Sequence, residues 1–207
     1  MSLMKRGAKI RFRLRSTVMA GLVRSTDYAR WTDQRHLCAE WAPRTQRAAA
    51  LVPPHSRVIE FGAGNRTLEQ HLDPTCTYVA SDIVDRGPGT VIYDLNERPL
   101  PALSAGTYDV AVLMGVLEYV RDVPSVIDWL AKNVQVCVVS YVCAGLGGSS
   151  GGGIRETAGR LGLGWLNHYS TEEFRLLFRE RGLVSTHEEN WEDNRLFVFR
   201  APPVATP

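Results

Sequence analysis

The chain of 207 residues has little cysteine and no close cysteine pair: Cys38, Cys76, Cys137 and Cys143 stand far apart. Without a CxxC pair there is no zinc framework, and no metal site is expected. Four scattered thiols also exclude a disulfide-stapled scaffold and fit a reducing cytoplasm. No apolar run reaches the ~20 residues that a membrane span needs. The longest, Val134 to Leu146, is interrupted by Gln135 and Ser140. No transmembrane segment is therefore expected. No apolar core with a small-residue cleavage site marks a signal peptide either.

Acidic residues are missing from positions 1–26, which hold Lys5, Arg6, Lys9, Arg11, Arg13, Arg15 and Arg24. The remainder holds 17 basic residues against 22 acids. A net-acidic body argues against a broad nucleic-acid surface. Residues 1–26 are expected to form a solvated, partly disordered basic arm that can contact an anionic surface.

What is present is an ordinary globular composition, 44% hydrophobic and 22% charged, enough for one domain over 27–201. Residues 27–52 read as helical, with a break at Pro43 and a stop at Pro53-Pro54. Strands are predicted at 57–61, 77–84, 89–95, 108–116 and 134–142, with helices over 65–72 and 124–133 between them. Alternation of nearly continuous apolar strands with helices means a doubly wound, mostly parallel α/β sheet. Its ligands belong at the carboxyl ends of the strands.

The C-terminal third differs. GLGGSSGGG (145–153) is low-complexity, and a short helical piece, IRETAGRLG, follows. Residues 143–169 read as a lid insertion hinged on this glycine tract. Ser170 and Glu173 spell a capping box, with Tyr169 and Phe174 at hydrophobic-staple positions. Residues 183–191 and 195–200 read as an antiparallel hairpin that completes a seven-stranded sheet. Residues 202–207 read as a loose tail.

The chemistry centres on VIEFGAGNR, residues 58–66. A strand running into Gly62-Ala63-Gly64 is a nucleotide-type turn, weakly specific alone. A nicotinamide fingerprint needs a third glycine where Thr67 stands. Glu60, just before the turn, suits a cofactor carrying an ammonium group and is poorly placed beside a pyrophosphate.

Glu60-Phe61-Gly62-Ala63-Gly64 resembles the first motif of class I S-adenosylmethionine-dependent methyltransferases, acid-x-Gly-x-Gly-x-Gly. Ser81-Asp82, Asp94-Leu95 and Met114-Gly115-Val116-Leu117-Glu118-Tyr119-Val120 resemble that family's later motifs, in order. The resemblance implies a Rossmann-like fold and S-adenosylmethionine as cofactor, with S-adenosylhomocysteine as product. It implies that Asp82 accepts the ribose hydroxyls and Ile83 packs on adenine. Asp94 and the Leu95 amide would serve the adenine edge. The backbone at Gly62, Ala63, Gly64 and Met114 would lie against the methionine part. Simpler roles stand beside these: turn glycines, a helix cap at Asp82, a turn at Asp94. Two positions depart from the pattern. Arg66 replaces the third glycine, and either faces solvent or pairs with the cofactor's carboxylate. Tyr119 replaces a histidine, which weighs Glu118 toward a structural role.

Methyl transfer needs in-line alignment and exclusion of water more than a catalytic triad. No Asn/Asp-Pro-Pro-aromatic motif follows the fourth strand, and no cysteine follows a proline. A small-molecule acceptor is therefore expected. It is placed near Tyr28, Trp31, Arg44, Glu118 and Tyr119, with His168 as candidate general base. The competing functions are a macromolecular methyltransferase that uses the basic arm, and a non-catalytic binding protein that keeps the fold.

Overall fold

The computed structural model describes residues 22–23, 25–103, 106–145, 160 and 162–202. Most of the basic arm, the glycine tract, most of IRETAGRLG and most of the tail lie outside the described residues.

Seven strands form one mixed sheet: β1 (Arg57–Phe61), β2 (Thr77–Asp82), β3 (Val91–Ile92), β4 (Val110–Met114), β5 (Val136–Tyr141), β6 (Val184–Trp191) and β7 (Asn194–Arg200). Their order is β3-β2-β1-β4-β5-β7-β6. The first five strands are parallel, and β7 runs antiparallel to both β5 and β6. This is the expected Rossmann-like sheet with a C-terminal antiparallel hairpin. Strand order reverses between β1 and β4, where doubly wound sheets open a crevice. Phe61 is in register with Ser81 and Leu113, and Met114 with Ser140, so the carboxyl ends share one edge. The β6–β7 turn reaches the same edge, because two antiparallel steps return β6 to the direction of β5.

The central strands are apolar because both faces are covered. Every residue of β4 and β5 is buried. On one face lie α3 (Val123–Asn133) and α4 (Thr171–Arg179), with Ile127, Leu130, Phe174 and Phe178 in the core. Phe178 stacks on Phe199 at 3.8 Å between centroids, and Tyr141 on Phe174 at 4.2 Å. Burying one such ring contributes about 1.5–3 kcal/mol. The other face packs Ala48 and Ala49 of α2 (Ala42–Ala49) with Leu68, Val112 and Val138. The capping box forms as the sequence predicts: Ser170 Oγ accepts the Glu173 amide, and Glu173 accepts the Ser170 amide.

Three local expectations fail. Residues 65–72 form successive turns, not a helix. Arg66 has φ 54°, a left-handed conformation that no α-helix contains. Leu68 still reaches the core, which explains its helix-like spacing from Leu72. The predicted helix from Asp27 is cut into α1 (Tyr28–Trp31), two 3₁₀ turns and α2. Asp27 and Asp33 each accept a backbone N–H and restart the chain, so two caps replace one continuous helix. The third strand is also shorter than predicted, because only Val91 and Ile92 pair with β2.

No helix among the described residues is long and apolar enough to cross a membrane. Among them, no cluster of three or more His, Cys, Asp or Glu side chains is placed to hold a metal ion.

Candidate functional site

A cavity of about 670 Å³ opens along the carboxyl edge. Its wall begins where β1 ends. Gly62 and Gly64 turn the chain at φ 69° and 52°. A Cβ on Gly62 would stand 2.6 Å from Val116 Cγ2, so only glycine fits between the β1 and β4 ends.

Asp82 closes β2 and is 5% exposed. Its carboxylate organises the glycine turn. Oδ2 accepts the Gly64 amide at 2.9 Å, and Oδ1 accepts its neighbour Ile83's amide at 2.8 Å. The Arg86 guanidinium completes the cluster. Its Nη2 donates to Asp82 Oδ1 at 3.2 Å, while Nε lies 3.1 Å from Oδ2 without hydrogen-bond alignment.

Asp94, after β3, is buried as well. It accepts the Asn96 amide at 2.8 Å and the Tyr28 hydroxyl at 2.7 Å. Glu60 also lines the cavity. It accepts the Tyr78 hydroxyl at 2.6 Å. Burial pushes its pKa up to about 8, against the pull of that hydrogen bond.

The N-terminal segment is fastened over this wall. Besides Tyr28 on Asp94, Arg86 donates to the Trp31 carbonyl at 2.6 Å, and Asn96 to Thr26 Oγ1 at 2.9 Å. Arg30 donates to the Leu163 carbonyl, which ties the segment to residues 162–165. The cavity is therefore roofed by residues far away in sequence.

Its other end is aromatic and charged. Trp31 meets Tyr119 edge-on at 4.9 Å and Trp41 at 6.4 Å. Trp165 donates its indole hydrogen to the Tyr119 hydroxyl at 3.1 Å. Arg160 lies over the Trp165 ring and donates to the Val142 carbonyl. Glu118 is 1% exposed. Its Oε1 accepts the Val142 amide at 2.9 Å, while Oε2 has no partner. Burial holds its pKa above the ordinary carboxylate range.

Of the expected site residues, Glu60, Gly62, Ala63, Gly64, Asp82, Ile83, Asp94, Leu95, Met114, Trp31, Arg44, Glu118 and Tyr119 all line this one cavity. Tyr28 reaches it through its hydroxyl on Asp94. Two residues are not brought to it. The Arg66 guanidinium is held by Glu69 at 2.9 and 3.1 Å and by the Pro88 carbonyl at 2.8 Å. It clamps the glycine turn to the β2–β3 loop. His168 is exposed and outside the cavity lining. Its neighbour Asn167 points inward instead, donating to the Leu117 and Val120 carbonyls.

Several lining residues escaped the sequence reading: Arg86, Asn96, Arg160, Trp165, Asp193 and Asn194. Asp193 and Asn194 carried a usable signal, since a hairpin turn at the end of a strand parallel to β5 must reach the ligand edge.

The residues present fit S-adenosylmethionine. Asp82 and Asp94 are buried carboxylates at adjacent strand ends, able to accept ribose and adenine donors. Ile83 and Leu95 give apolar surface beside them, and the glycine turn leaves backbone exposed. Arg86, the cation beside these two carboxylates, is engaged by Asp82.

A family model described as Methyltransferase domain matches residues 31–188. Solved structures share the fold at low identity. Magnesium protoporphyrin IX methyltransferase from Synechocystis, with bound S-adenosylhomocysteine, is 16% identical with a TM-score of 0.58, covering 78% of this chain and 83% of that one. The N-methyltransferase NodS from Bradyrhizobium japonicum, also with S-adenosylhomocysteine, is 17% identical with a TM-score of 0.55, covering 79% and 86%. A chain from the complex of the Haloferax volcanii Trm112 methyltransferase activator with a methyltransferase is 14% identical with a TM-score of 0.58, covering 81% and 97%. No curated protein matches the chain in sequence. Sheet order and site together define a class I S-adenosylmethionine-dependent methyltransferase. The chain belongs to the Methyltransferase domain family.

Proposed function

We propose that the enzyme methylates a small-molecule acceptor. The observation that carries this is the roof: Tyr28, Arg86 and Arg30 fasten the N-terminal segment over the cavity. An enclosed acceptor site suits a compact molecule better than a polymer.

The cofactor, when bound, supplies an electrophilic methyl group on a sulfonium. The chain's own work is holding and shielding. Asp82 takes the ribose hydroxyls, while Asp94 and the Leu95 amide take the adenine edge. Ile83 packs on the adenine ring. The backbone of Gly62, Ala63, Gly64 and Met114 receives the methionine part, with Glu60 toward its ammonium. Trp31, Tyr119 and Trp165 wall the acceptor end and keep water out, and Tyr28 closes the roof. Glu118 lines the same end, with its Oε2 buried and without a hydrogen-bond partner.

The test uses methyl-labelled S-adenosylmethionine with a cell extract split into a low-mass filtrate, RNA and protein. Label in products of the filtrate is expected. Label confined to RNA or protein would overturn the proposal in favour of a macromolecular acceptor.

A further inference from the structure

Arg86 ties the wall of the cavity to its roof. Its side chain is 3% exposed and lines the cavity. One nitrogen, Nη2, donates twice: to the Trp31 carbonyl at 2.6 Å and to Asp82 Oδ1 at 3.2 Å. Nε stands 3.1 Å from Asp82 Oδ2 but is not aligned for a hydrogen bond.

The short loop after β2 puts the guanidinium there. The Arg86 amide donates to Thr90 Oγ1 at 3.2 Å, and that hydroxyl donates to the Gly87 carbonyl at 2.7 Å. Arg66 holds the Pro88 carbonyl at 2.8 Å from the side of the glycine turn. The protein's own contacts therefore carry Arg86 to Asp82.

These donors crowd Asp82. A carboxylate has about four lone-pair sites. The Gly64 and Ile83 amides take two of them, at 2.9 and 2.8 Å. Arg86 Nη2 takes a third, and its Nε crowds the last. A ribose diol brings two more donors. The amides are fixed by the backbone of the glycine turn and of the β2 end, so they stay. The guanidinium hangs on a long side chain with rotatable bonds, so it can yield. The Trp31 carbonyl remains as its acceptor when it does.

We infer that Arg86 competes with the cofactor's ribose for Asp82, an inference that rests on the cavity being the S-adenosylmethionine site. Arg86 satisfies the buried carboxylate before the nucleoside arrives, and the ribose hydroxyls displace it. The nitrogen that yields also holds the roof at Trp31, so cofactor entry and the roof are linked through one side chain. Arg86 thereby lowers the affinity of the site for a diol.

Calorimetry on the full chain tests this with adenosine and 2′,3′-dideoxyadenosine, which differ only in the diol. Arg86→Met removes the competitor at similar length. It should tighten adenosine about tenfold, the worth of one hydrogen bond to a charged acceptor, and leave dideoxyadenosine within about twofold. An Arg86 that merely supports the site predicts the opposite, because its loss would weaken both nucleosides. Arg86→Lys keeps a cation without the fork, and should tighten adenosine about threefold. Thermal melts show which variants fold. If Arg86→Met does not, Arg86→Lys decides by the same comparison. The inference is overturned if adenosine binds the folded variants no tighter than wild type, or if dideoxyadenosine gains as much as adenosine. If wild type binds neither S-adenosylhomocysteine nor adenosine, the cofactor reading itself fails and the inference falls with it.

Discussion

Tyr28 donates its phenolic hydrogen to Asp94 Oδ2 at 2.7 Å, across 66 residues of chain. The bond joins the first helix of the roof to the carboxylate that follows β3. Burial and the negative Asp94 raise the Tyr28 pKa, so the hydroxyl stays a donor throughout the physiological range. Tyr28→Phe should loosen the roof while leaving the fold intact. We expect S-adenosylhomocysteine to dissociate about fivefold faster, read by stopped-flow fluorescence, for the loss of one partly exposed bond to a charged acceptor. An unchanged rate would show that the roof does not gate the site.

Asp82 holds Gly64, Ile83 and Arg86 at once. Asp82→Asn keeps the shape but removes the charge and turns one acceptor into a donor. Loss of both cofactor affinity, by about 100-fold, and melting temperature is expected, since a buried cation loses its partner. Calorimetry and thermal melts check this pair of effects. Loss of stability with full affinity would confine Asp82 to organising the turn.

Glu60 gives a pH signature. Its pKa is pushed from 4.5 up to about 8 in the folded protein. The folded state therefore keeps a proton that the unfolded chain releases. Between about pH 4.5 and 8, each rise in pH costs stability through this group, and below that window the effect vanishes. Glu60→Gln cannot ionise, yet its amide oxygen still accepts the Tyr78 hydroxyl. Its stability relative to wild type should rise by about 4 kcal/mol between pH 5 and pH 9, measured by denaturation. A constant difference would mean that Glu60 ionises normally.

Gly62→Ala tests the close approach of β1 and β4. The new methyl group meets Val116 Cγ2 at 2.6 Å, in a left-handed backbone. Destabilisation of about 2–3 kcal/mol is expected from strain and overpacking together. Adding Val116→Ala should recover the steric part and leave the backbone part. Strictly additive effects in this double-mutant cycle would exclude the contact.

Much of this was legible in the chain. β4 and β5 are covered on both faces, so Val110 to Met114 and Val136 to Tyr141 read as apolar runs without periodicity. Ser170 and Glu173 lie three residues apart, and a capping box is made of that spacing alone. Asp82 and Met114 end strands and Gly62 and Asp94 closely follow them, so strand prediction placed all four on one edge.

The failures share a cause. Leu68 and Leu72 mimic a helix because both are drawn toward the interior, yet the left-handed Arg66 forbids one. Arg66 departs from the glycine motif, and of its two open roles the structure favours neither cofactor contact nor a free side chain, since Glu69 and Pro88 hold its guanidinium. His168 was chosen for its chemistry, and its side chain stays outside while Asn167 turns in.

By itself the sequence determined the strands, the glycine turn and the carboxylates at the strand ends, because hydrophobic period and turn chemistry act over a few residues. Only the tertiary structure decided which charges meet. Arg47 found Glu189 across 142 residues, and Arg44 found no carboxylate partner among the described residues. Such a pairing is set by distances between elements far apart in the sequence, and no local pattern encodes them.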